Sequence, residues 1–289
     1  MRKATLFDRM VAWRYVAARA PDRSRFDSVQ SAAPPMNSAI AGIILVATFV
    51  TAAISGVFGM AGGLILMGVL ASYVPVATAM VLHGFIQLIS NFSRAAFLTK
   101  HISWAITGRY ALGIGGALIV LLMITWRPTQ TMVFILLGLT AMLVWIPKKL
   151  VEINVEKRFQ AELCGFLVQT LNTLSGVAGP LLDLFFVKTE LTRQTVVATK
   201  ATTQVMAHAV KIAFWGFPLL AVLSDPGLQV DARLPPLWMF AAIVPLSLLG
   251  TWLGGLVLDR MTDADFRTWT KWIVTATGVV YLARGLWLG

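Results

Sequence analysis

From residue 38 onward the chain alternates helix-length apolar segments with short polar joints, and this alternation limits the fold more than any other feature. The segments fall at about 38–58, 61–74, 76–98, 105–125, 130–147, 161–176, 180–188, 194–216, 237–257 and 269–288. Most have about 20 residues, enough to cross roughly 30 Å of hydrocarbon as helix. Backbone in lipid must satisfy its own hydrogen bonds, so such segments are helical. With 57% hydrophobic residues, 13% charged and a mean hydropathy of +0.76, the composition lies outside the soluble globular range. The expected class is an all-α polytopic membrane protein, embedded in a lipid bilayer.

Two of the segments, 61–74 and 180–188, are too short to cross. Each follows a glycine-rich break, Ser55-Gly56-Val57-Phe58-Gly59-Met60-Ala61-Gly62-Gly63 in the first half and Ser175-Gly176-Val177-Ala178-Gly179-Pro180 in the second. Glycine lets the chain leave the helix, and Pro180 suits the first turn of a new one. Ser-Gly-Val-x-Gly thus recurs at an offset of 120, and Val-Ala-Thr recurs at 76–78 and 197–199. The expected organisation is two repeats, each a broken or re-entrant helical hairpin followed by three transmembrane helices. The divisions are a basic tail (1–37), a first repeat (38–147), a basic connecting loop (148–160) and a second repeat (161–289).

The segment 193–215 carries Lys200, Gln204, His208 and Lys211. Steps of four, four and three hold them within about 80° of one helix face over roughly 16 Å. The equivalent first-half helix has its own stripe of His83, Gln87, Ser90, Asn91 and Arg94. A charge at membrane depth costs at least about 2.5 kcal/mol, so these faces belong against a bundle interior, a wet cavity or a substrate path. Half-helix ends at the two breaks would add backbone N–H groups and positive dipole ends, which favour an anion. The substrate-binding candidates are therefore Lys200, Gln204, Gln87, Asn91, Ser55, Gly56, Gly59, Gly62, Gly63, Ser175, Gly176 and Gly179. His208 and His83 titrate near neutrality and are candidates for proton coupling, together with Lys211 and Asp183. The competing reading makes these residues interhelical glue or internal ion pairs, with Asp183 the acidic partner inside the bundle. Arg94, near a helix end, is expected to reach the headgroups.

The break 55–64, Val76-Ala77-Thr78 at the head of the next helix, Lys100-His101-Ile102-Ser103-Trp104 and the duplicated layout together resemble the TauE/SafE sulfite exporter family, also called the 4-toluene sulfonate uptake permease family. The resemblance covers roughly residues 38–288. It implies a secondary transporter of the bacterial cytoplasmic membrane that moves sulfite, an organosulfonate or a related sulfur or carboxylate anion, coupled to an ion gradient.

The alternatives are a non-transporting assembly or scaffold subunit and a passive anion channel. An enzyme is not expected: three histidines, one cysteine (Cys164) and no H-E-x-x-H, G-x-S-x-G or C-x-x-C pattern supply neither a nucleophile with its base nor a metal cluster. No cofactor and no metal are implied, and no phosphate-cradling G-x-x-x-x-G-K-[ST] loop is present for ATP. The formal charge of +11 reads as topology and an anionic substrate, not nucleic acid, because the basic residues sit in short connections. Placing 148–160 in the cytoplasm gathers most of them on that side. Homo-oligomerisation is left open.

Overall fold

In the computed structural model the described residues are 38–124, 127–224, 235–258 and 260–289, and ten α-helices account for most of them. The helices are α1 Ser38–Phe58, α2 Met60–Tyr73, α3 Val76–Phe97, α4 Trp104–Met123, α5 Gln130–Met142, α6 Gln160–Ser175, α7 Gly179–Phe186, α8 Arg193–Ser224, α9 Leu237–Leu258 and α10 Asp263–Leu288. Four of them, α1, α3, α4 and α9, are long and apolar enough to cross a membrane. The basic tail 1–37, Trp126 and half of the 217–236 connection, residues 225–234, lie outside the described residues.

Both expected breaks are present. Gly59 has φ 61° and ψ −106°, a conformation that a side chain resists, and it turns α1 back into α2. Gly176, at φ 90°, ends α6, its N–H bonding Asn172 O at 3.0 Å, and Pro180 lies in the first turn of α7. The sequence places the short segment after the first break at 61–74, whereas α2 begins at Met60. Gly62 is inside α2, where only a hydrogen fits against Thr51 O and Ser55 of α1. The helix 194–216 extends to Ser224 through Pro218. At the other end of the chain, α10 starts six residues before the expected 269, because Thr262 caps it by accepting from Asp265 N at 3.1 Å.

Four helix pairs form the main interfaces: α1 with α9, α4 with α6, α3 with α8, and α5 with α10. Their directions follow from residues at close approach. Gly250 of α9 abuts Phe49 and Ala52, and Gly254 abuts Ala53 and Gly56, so α1 and α9 run parallel. Arg109 pairs with Glu162, Gly113 abuts Glu162 and Phe166, and Gly116 approaches Phe166, so α4 and α6 also run parallel. Gly216 meets Val81 while Gly84 meets His208, Lys211 and Ile212, so α3 and α8 are antiparallel. Gly278 meets Ala141 and Met142 while Gly285 meets Thr131 and Ile135, which makes α5 and α10 antiparallel too. Small residues at these crossings substitute for the hydrophobic effect, which is absent between helices in lipid.

The larger apolar core gathers α2, α3 and α5 with Trp215, Leu219, Met239, Ile243, Val274 and Tyr281. A smaller one joins α4, α6 and α7 around Tyr110, Cys164 and Phe185.

Candidate functional site

The polar stripes of α3 and α8 face each other. With Gly84 level with about residue 210 and the helices antiparallel, a rise of 1.5 Å per residue puts Gln87 level with His208, Asn91 with Gln204, and Arg94 with Lys200. Beside this ladder lies a cavity of about 410 Å³. Its wall holds Ser55, Gly56, Gly59 and Gly63 from the first break, His83, Gln87, Asn91 and Arg94 from α3, and Gly179 and Asp183 from α7. Arg193, Lys200, Gln204 and His208 of α8 complete the polar lining, and Phe266 and Thr270 of α10 close one side.

At the deep end, His83 Nε2 lies 2.9 Å from Gly63 O and Nδ1 lies 2.8 Å from Lys211 Nζ. A carbonyl only accepts, so Nε2 carries the proton and Nδ1 accepts from the ammonium. Lys211 is fully buried, and its Nζ also donates to Gly176 O at 2.8 Å and to Asn172 Oδ1 at 3.4 Å. Three N–H donors thus meet three neutral acceptors. Gly176 O and Asn172 stand at the C-terminus of α6, where the helix dipole offers negative potential to a cation. His208 packs edge-on to His83 at 5.6 Å between ring centroids. It is 4% exposed, lines the cavity, and its Nδ1 has no hydrogen-bond partner among the described residues.

Nearer the mouth, Lys200 is ion-paired with Asp183, both side chains about a third exposed. Asn91 donates from Nδ2 to Gln87 O at 2.8 Å and accepts at Oδ1 from Arg94 at 3.1 Å, and Arg94 Nε donates to Ser90 O at 3.3 Å.

Twelve of the sixteen sequence candidates line this cavity. The other four, Gly62, Ser175, Gly176 and Lys211, stand behind it. Ser175 Oγ is held within its own break, 2.9 Å from Leu171 O and 2.8 Å from Val177 O. Gly176 is backed by Met67 and presents its carbonyl to Lys211. The expectation that Arg94 reaches headgroups is corrected: it turns into the cavity, as its place on the His83–Gln87–Asn91 face could have signalled. Arg193, Phe266 and Thr270 were not anticipated, Phe266 because the start of α10 was placed too late.

A bundle of apolar helices with a polar cavity enclosed by two broken hairpins defines a polytopic membrane protein. Residues 44–281 match the family model described as Sulfite exporter TauE/SafE, and the chain belongs to that family of membrane transporters. No curated protein and no solved structure matches the chain.

Proposed function

We propose that the chain is a secondary transporter that carries a small anion (sulfite, an organosulfonate or a related sulfur or carboxylate anion) across the bacterial cytoplasmic membrane by alternating access, driven by an ion gradient. The observation that carries this reading is the cavity. Its described lining holds three cations, Arg94, Arg193 and Lys200, against one carboxylate, Asp183. The first turns of α2 and α7, at Met60–Gly63 and Gly179, border the same space, and the unsatisfied backbone N–H groups of helix N-termini suit an anion. In this reading Lys200 supplies the charge, Gln204, Gln87 and Asn91 act as neutral donors, and Ser55, Gly56, Gly59, Gly63 and Gly179 let the backbone approach. His208, which lines the cavity, exchanges a proton, and His83 links it to Lys211. Gly62, Ser175 and Gly176 serve the site as backing.

The two-repeat organisation, 38–147 and 161–289 joined by 148–160, is supported by the packing. Exchanging α1–α5 for α6–α10 turns the α1·α9 pair into α6·α4 and returns α3·α8 and α5·α10 to themselves. The self-equivalent pairs are antiparallel, as a two-fold axis in the membrane plane requires, and the two exchanged pairs share one relative sense, as the same axis demands. A scaffold subunit would instead pair off its polar groups with no cavity; the open volume and the unpartnered His208 Nδ1 favour transport.

The test is flux in proteoliposomes over a panel of sulfite, sulfonates and small carboxylates, with and without a pH gradient, for wild type and Lys200→Ala. Wild-type flux of one anion that is lost in the variant supports both function and site. Folded wild-type protein that moves none of the panel overturns the anion assignment, and equal flux in Lys200→Ala overturns the site.

A further inference from the structure

We infer that Asp183 is a tethered competitor of the transported anion: the anion displaces the Asp183 carboxylate from Lys200 and is held between Lys200 and Arg94, and the returning carboxylate expels it. The inference rests on the transport reading above and specifies how its site is filled and emptied.

Three observations carry it. Lys200 is not available to an incoming anion as the structure stands, because the Asp183 carboxylate already occupies it. The pair is not sealed: its side chains are 29% and 33% exposed and both line the cavity, so a dissolved anion reaches the same ammonium. Across the antiparallel α3·α8 contact, Arg94 stands level with Lys200, and its guanidinium bonds only neutral oxygens, Ser90 O and Asn91 Oδ1. Among the described residues no carboxylate pairs with it. Among the described residues one cation is thus matched by a carboxylate while its neighbour is not. An oxyanion with two or more terminal oxygens bridges both, gaining charge-assisted hydrogen bonds that the single carboxylate on α7 does not make with Arg94.

The exchange also links occupancy to movement. Asp183 belongs to an eight-residue helix that follows a glycine break, and its ion pair ties that helix to α8. Displacing the carboxylate releases the tie, so the bound anion favours a different setting of α7 from the empty protein. Return of the carboxylate lowers the affinity for the anion and discharges it.

The experiment measures anion affinity by calorimetry on detergent-purified protein, and KM with maximal rate in proteoliposomes, using the panel anion that the wild type transports. Wild type is compared with Asp183→Asn, Asp183→Ser, Arg94→Ala and Arg94→Lys. Loss of a competing, part-exposed ion pair tightens binding severalfold, up to about fivefold, in Asp183→Asn. Its KM falls in parallel, and its maximal rate falls because discharge is slowed. Asp183→Ser behaves alike and stands in if the asparagine variant is not monodisperse. Arg94→Ala weakens binding about tenfold or more, and Arg94→Lys recovers part of it because the charge remains without the fork. Unchanged or weaker binding in both folded Asp183 variants overturns the competitor role, and unchanged binding in Arg94→Ala overturns the bridge. Wild-type protein that binds no anion of the panel overturns the transport reading and this inference with it.

Discussion

Two glycines on one turn of α4 should respond in opposite directions to the same methyl group. Gly113 lies in the α4·α6 crossing, where a Cβ would meet Glu162 O, Glu162 C and Phe166 N. All three are backbone atoms, so no rotamer change makes room and the helices must separate. Overpacking of this kind costs about 1–3 kcal/mol, and with backbone on the far side the upper end applies. Separation also stretches the Arg109–Glu162 pair, in which Nε and Oε1 are 2.9 Å apart. Gly115, two residues on, is exposed and has nothing within 4 Å of its Cβ position. There alanine gains only its helix propensity, about 1 kcal/mol over glycine. For a chain of this size each kcal/mol moves the melting temperature by about 2 °C, so Gly113→Ala should melt about 6 °C lower and Gly115→Ala about 2 °C higher than wild type. Thermal unfolding of detergent-purified protein, followed by loss of the monodisperse elution peak, reads both. Shifts of the same sign, or an unperturbed Gly113→Ala, would refute the parallel α4·α6 interface as described.

Gly59→Ala should lower stability by about 1–3 kcal/mol with no steric cause, because the space is open and only its φ of 61° and ψ of −106° resist a side chain; the same melt checks it, and an unchanged melting temperature contradicts it. Lys211→Met leaves His83 Nδ1, Gly176 O and Asn172 Oδ1 unpaired at about 1–3 kcal/mol each, while relief of a desolvated charge offsets much of that. The variant should therefore fold, and its anion flux should lose its response to a pH gradient; a response equal to wild type counts against Lys211 in coupling. Arg109→Gln should cost no more than about 1 kcal/mol, since both partners are nearly a third exposed, and denaturation of the variant checks it.

Helix identity and the two breaks could be read in the sequence because they depend on local chemistry: apolar length for the helices, and glycine for the breaks, with proline following in the second. The stripes of α3 and α8 were legible for the same reason, since His83, Gln87, Asn91, Lys200, Gln204 and His208 each follow the helical period, but that they face each other was not. Contacts that join distant parts of the chain were not legible. Nothing local separates Gly113, which touches α6, from Gly115, which touches nothing. Lys211 shares a stripe with Lys200, yet one is fully buried among neutral acceptors and the other meets Asp183 at the cavity wall. That difference depends on where α6 ends. Arg94 looked peripheral by its position along α3, and only the antiparallel partner helix brings it level with Lys200. Phe266 was missed because charged residues near the start of α10 resembled a joint.

Counterflow tests the central claim most directly. Proteoliposomes are preloaded with the unlabelled anion and diluted into a trace of the same anion carrying a radiolabel. A carrier that alternates around the Lys200 site predicts a transient accumulation of label above its equilibrium level, absent in Lys200→Ala. Label that enters without an overshoot describes a passive channel and contradicts alternating access, and an overshoot that survives in Lys200→Ala places the substrate path outside this cavity.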